Sequence, residues 1–83
     1  MSKSKEEIMN KVVRGHSQER VIRDLLQYGR TSGLGYYIAS QKYYSNYITS
    51  YFNAVNRLEK HGIKVNYIPG QRGGYWTGYF QVA

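Results

Sequence analysis

Apolar residues recur along this chain with two periods, and the change from one to the other divides it. In EEIMNKVV, Ile8 and Val12 share a helical face with Met9 beside them, and Glu6 and Glu7 occupy the end where a helix favours negative charge. A short helix over residues 6–13 follows, ended by Arg14-Gly15; too short to stand alone, it must dock on the domain or on a second copy. The Ser/Lys-rich Met1–Lys5 ahead of it reads as a disordered basic tail. A clearer helix starts after His16, with Ser17 as N-cap, Glu19 in the first turn, an inward stripe of Val21, Ile22, Leu25, Leu26 and Tyr28, and Gly29 as its stop. After the turn GRTSGLG, a second short helix fits Tyr36–Lys42, with Tyr37, Ile38 and Gln41 inward. Tyr43–Asn46 reads as a turn in which Ser45 or Asn46 caps the next helix.

That next helix, about Asn46–His61, carries the most informative pattern. Ile48, Tyr51, Phe52, Val55 and Leu58 form a core stripe, opposite Thr49, Ser50, Asn53, Asn56, Arg57 and Lys60, and Gly62 is a strong stop. The period then falls to two. Ile63, Val65 and Tyr67 alternate with Lys64 and Asn66 as a half-buried strand. The glycine-rich turn Pro69–Gly74, tipped by Arg72, leads to a return strand over Tyr75–Val82 with Trp76, Phe80 and Val82 on one face, where Gly78 allows close approach.

Three helices followed by a hairpin is the order of a winged helix-turn-helix. The expected fold is therefore α+β: a three-helix core and a β-hairpin wing over residues 17–83, preceded over residues 1–16 by a basic tail and a short extra helix. The 83 residues contain no cysteine, so neither a disulfide nor a thiolate-ligated metal can brace so small a domain. Ten tyrosines, two phenylalanines and a tryptophan supply large buried areas in their place.

Charge narrows the partner. Twelve basic residues stand against five acidic ones, a net of +7, which favours a polyanion. Every acid except Glu59 lies in the first 24 residues, whereas Arg30, Lys42, Arg57, Lys60, Lys64 and Arg72 lie beyond them. The polar face of the third helix suits a major groove: Asn and Arg make bidentate bonds to adenine and guanine, and Ser or Thr adapts to either. The expected DNA-binding residues are Asn46, Thr49, Ser50, Asn53, Asn56 and Arg57 on that helix, Arg72 at the wing tip, and Lys42, Lys60 and Lys64 on phosphates, with a phenol of Tyr43, Tyr44 or Tyr47 on the backbone.

Other chemistries are poorly served. Gly33-Leu34-Gly35 follows a helix and lacks the third glycine of a dinucleotide fingerprint, and Gly70–Gly74 lacks the ending of a phosphate loop. His16 and His61 read as a cap neighbour and a helix-end residue, and the few carboxylates assemble no Ser/His/acid constellation. No enzymatic activity, cofactor or metal is expected. No apolar run approaches the roughly 18 residues of a membrane span, and no apolar signal segment follows the Lys-rich start, so a cytoplasmic protein, in a host cell or on its nucleoid, is the expectation.

The stretch Leu58–Trp76, LEKHGIKVNYIPGQRGGYW, resembles the end of the recognition helix and the wing of the biotin operon repressor's DNA-binding domain. The chain is still more similar to the small helix-turn-helix proteins of phages, through Gln18, Val21 and Leu25 at the front and Arg57, Leu58, Gly62, Ile63 and the Tyr75–Val82 strand at the back. It departs from them between the helices, where IASQKYYSNYIT has no glycine, which leaves the groove-facing register open by one or two positions. The resemblance implies sequence-specific binding of double-stranded DNA by a phage or mobile-element regulator acting on transcription, a replication origin or an integration site. An isolated domain with few contacts binds weakly, so a homodimer on two half-sites about one helical turn apart is expected, joined through residues 6–13 or exposed tyrosines. Two alternatives stand beside it: a protein-binding module that inhibits or recruits a host protein, and single-stranded DNA or RNA binding by tyrosine stacking.

Overall fold

The computed structural model describes residues 4–39, 47–71 and 77–83, the side chain of Tyr47 excepted. Four helices, α1 (Lys5–Val12), α2 (His16–Tyr28), α3 (Leu34–Ala39) and α4 (Tyr47–Glu59), precede an antiparallel hairpin of β1 (Val65–Ile68) and β2 (Tyr79–Val82), a small α+β arrangement. The hairpin register pairs Val65 with Val82, Asn66 with Gln81, Tyr67 with Phe80 and Ile68 with Tyr79.

Helix α1 begins inside the segment whose composition suggests a tail. Ser4, expected in a disordered tail, caps α1 by accepting a hydrogen bond from the Glu7 amide at 3.2 Å, so the SKEE run is a helix start. Ile8 and Val12 of α1 join Val21, Ile22 and Leu25 of α2 and Tyr51, Val55 and Leu58 of α4 in one core. The apolar face of α1 is thus buried within its own chain.

Helix α2 begins one residue before the expected cap. Gly15, in extended conformation, takes the N-cap position in place of Ser17 and makes no side-chain capping bond. The physical reason is Gln18, which this start places at the third helical position. Its Oε1 reaches back to accept the Arg14 amide at 3.0 Å, so a glutamine satisfies the entry to the helix. At the other end Gly29 takes the left-handed conformation at φ 76°, as Gly62 does after α4 at φ 87°, and both expected stops are realised. Tyr28, placed inward from its spacing, is instead 69% exposed.

Helix α3 starts at Leu34, ahead of the expected Tyr36. The inward stripe is Leu34, Tyr37 and Ile38, so the period opens two residues earlier than the aromatic pair suggests. Gln41 and the turn at 43–46 lie outside the described residues. In α4, Tyr51, Val55 and Leu58 are buried as expected, Ile48 and Phe52 are half-buried, and Ala54 adds a fully buried position.

The hairpin is held from both sides. Phe52 packs at 5.4 Å from the Tyr67 ring and 5.0 Å from the Phe80 ring, fixing the sheet to α4. The chain between α2 and α3 lies along the other edge of β2. The Val82 amide donates to the Gly29 carbonyl at 2.7 Å, the Thr31 amide to the Phe80 carbonyl at 2.9 Å, and the Leu34 amide to the Gly78 carbonyl at 2.9 Å. The Phe80 amide, in return, donates to Thr31 Oγ1 at 3.0 Å. Gly78 sits against the Tyr67 ring, which a Cβ at that position would strike. Trp76 lies outside the described residues.

Candidate nucleic-acid interface

Helix α4 is the element whose outward face carries chemistry. At roughly 100° per residue, Thr49, Asn53, Asn56 and Lys60 fall within about 60° of arc, a single narrow stripe. All four are exposed, Lys60 lying in the turn directly after the helix. The face opposite the stripe is locked into the core by Tyr51, Val55 and Leu58, so its direction is fixed by packing.

The two borders of the stripe differ. On one border Phe52 seals α4 against the hairpin. On the other, Arg57 and Ser50 turn toward α1 and α2, where sequence reasoning had placed both on the reading face. The Arg57 Nε donates to the Val12 carbonyl at 2.8 Å and its Nη2 to Gln18 Oε1 at 2.7 Å. The Gln18 Nε2 in turn donates to Ser50 Oγ at 2.7 Å and to the Ser50 carbonyl at 3.2 Å. The Val12 carbonyl belongs to the last turn of α1, which has no partner within its own helix, and the guanidinium supplies one. Arg57 therefore clasps three helices together and is half-buried, as is Ser50 in the same clasp.

Gln18 is the hub. Its oxygen accepts from Arg14 and Arg57 and its nitrogen donates twice to Ser50, so its hydrogen-bonding capacity is filled. Its orientation is forced, because the Arg14 amide and the Arg57 guanidinium can only donate and the Ser50 carbonyl can only accept. Burial first, and then the like charge of Arg14, lowers the pKa of Arg57 from its ordinary value. The Arg14 backbone amide is bonded to Gln18, which sets this exposed residue beside the clasp. Arg14 is a cation that periodicity did not single out. Its position depends on a clasp between residues far apart in the chain, which no local spacing announces.

Of the remaining expected residues, Lys64 is exposed just before β1. Asn46, Lys42, Tyr43, Tyr44 and Arg72 lie outside the described residues, as does the side chain of Tyr47. Among the described residues, the large exposed aromatics are Tyr28 and Tyr36 on α2 and α3. Tyr36 is engaged by Arg20, whose Nη2 donates to its hydroxyl at 3.2 Å and whose guanidinium lies 5.4 Å from the ring centre.

Tyr37 is the other perturbed group. Burial, reinforced by its hydrogen bond to Asp24 Oδ2 at 2.6 Å, pushes its pKa up to about 12. Its oxygen also accepts the Ser32 amide at 3.0 Å, so the phenol braces α2 against the start of α3. The described residues include no group of three or more metal-ligating side chains and no helix long and apolar enough to cross a membrane. Compared with known protein families, with characterised proteins and with solved structures, the chain finds no match.

Proposed function

We propose that this chain is a winged helix-turn-helix protein that binds double-stranded DNA, with α4 in the major groove. The observation that carries this reading is the exposed Thr49–Asn53–Asn56–Lys60 stripe on a helix whose opposite face is fully packed. A helix with side chains is roughly 10–12 Å across, close to the roughly 12 Å width of the B-DNA major groove. The order of elements after α1, three helices (α2, α3 and α4) and then a hairpin packed beside the last of them, supports the same reading.

In this arrangement Thr49, Asn53 and Asn56 address base edges and exposed cations address phosphates. Arg14 stands on the α1 side, Lys60 at the end of the helix, and Lys64 before the hairpin. Arg72 and Lys42 join them as wing and backbone contacts on the strength of the sequence. Arg57 acts at one remove: it holds α4 at a fixed angle to α1 and α2. The role as a phage or mobile-element regulator rests on the resemblance to small phage helix-turn-helix proteins.

Competition at low salt tests the class of ligand. Fluorescence anisotropy with a labelled random duplex should give displacement by unlabelled duplex at lower concentration than by single-stranded DNA or RNA of the same sequence. Stronger displacement by a single strand would favour base stacking on tyrosines instead. Absence of binding to all three would favour a protein partner.

A further inference from the structure

The stripe on α4 also carries information about which bases it suits, and this inference rests on the DNA-binding reading above. Arg57 offers the guanidinium fork that ordinarily addresses guanine O6 and N7. Its Nε–Nη2 edge is occupied by the Val12 carbonyl and Gln18 Oε1, and its side chain is half-buried on the border of the stripe. Ser50 is likewise engaged by Gln18. Lys60 comes after the last helical turn, at the end by which the helix leaves the groove. The side chains left in the middle of the stripe with both a donor and an acceptor on one planar group are Asn53 and Asn56.

An asparagine amide pairs with adenine by accepting from N6 and donating to N7. Guanine presents two acceptors at the same place, so the amide oxygen would face O6 or N7 with no proton between them. Three residues along a helix advance about 4.5 Å, a little more than the roughly 3.4 Å between stacked base pairs. Asn53 and Asn56 therefore face neighbouring base pairs. Thr49, one turn earlier on the stripe, brings a methyl group that suits the thymine methyl of an adjoining A·T pair.

We propose that α4 selects A·T pairs, with two adjacent adenines read through N6 and N7 by Asn53 and Asn56. The fold converts a helix whose sequence offers an arginine for guanine into an adenine reader, by withdrawing that arginine into the Gln18 clasp.

The test is selection of bound duplexes from a random pool with the full chain, followed by affinity measurements on the selected site. The expected consensus has adjacent adenines at its centre. Replacing either with 7-deazaadenine, which lacks the N7 acceptor, should weaken binding by about 5- to 150-fold, and Asn53→Ala or Asn56→Ala should remove most of that sensitivity. Both asparagines are exposed in a helix, where alanine is the better helix former, so the variants should fold, and a thermal melt verifies it. A selected centre of G·C pairs, or a site whose affinity is unmoved by 7-deazaadenine and by both variants, overturns adenine reading while leaving duplex binding intact. Failure to retain any duplex at low salt overturns duplex binding, and adenine reading with it.

Discussion

A single buried glutamine joins three helices that sequence periodicity treats as separate. Gln18 is 7% exposed and places four hydrogen bonds, so its removal strands the Arg14 amide, the Arg57 guanidinium and the Ser50 hydroxyl together. We expect Gln18→Ala to lower the unfolding free energy by about 1–3 kcal/mol in urea denaturation. Arg57→Ala should cost a similar amount, and Arg57→Lys should restore little of it, because one ammonium cannot occupy both the Nε and Nη2 positions. In both Arg57 variants the base preference of whatever DNA still binds should be unchanged. Tyr37 gives a pH signature at the same scale. Folding raises its pKa from 10.0 to about 12, so the folded state favours the protonated phenol. The associated stability is complete below pH 10 and is lost as pH rises toward 12, by about 2–3 kcal/mol. Denaturation midpoints at pH 8, 10 and 11.5 should fall more steeply for the native chain than for Tyr37→Phe. None of this is written in local spacing. Gln18 was legible as part of a helix start, but its partner Ser50 is 32 positions away and the Arg57–Val12 contact spans 45.

Among the elements, α1 forms where the spacing of Ile8 and Val12 expected a helix, and it starts at Lys5, inside the segment read as a tail. A helix of 8 residues is unstable alone, so its order must come from Ser4 at one end, the Arg57 guanidinium at the other, and Ile8 and Val12 between them. Ser4→Ala should cost about 0.5–2 kcal/mol and speed amide exchange in α1 before it affects α2 or α4. The hairpin has its own sensitive point. At Gly78 an alanine would meet the Tyr67 ring, and we expect Gly78→Ala to destabilise by about 1–3 kcal/mol through forced movement of a packed aromatic. Elements with a strong single period were readable. The stripes of α2 and α4 and the left-handed glycines that end them follow from side-chain spacing and backbone freedom. Element starts were less so. Ser17 has the right chemistry for a cap, yet Gln18 at the third helical position moved the start of α2 to Gly15. At α3, buried Leu34 and Gly35 begin the inward run before the aromatic pair that suggested the period.

For the whole molecule, the question is what the +7 charge is arranged around. The outer face of α4 was legible as polar, but which of its members point outward was not. Thr49, Asn53, Asn56 and Lys60 do; Ser50 and Arg57 serve the clasp. The distinction depends on where α1 docks, a tertiary fact. In the proposed complex Arg14, Lys60 and Lys64 carry the phosphate contacts, so binding strength and base choice come from different residues. Arg14→Ala and Lys64→Ala should each weaken duplex binding evenly across sequences and flatten its salt dependence by about one counterion. The most direct test of duplex binding is the affinity of the full chain for a random duplex, measured from about 50 to 200 mM salt. Our account predicts a linear fall of log affinity against log salt, with a slope of several units from the neutralised phosphates. A flat response, or no binding at the lowest salt, would contradict it.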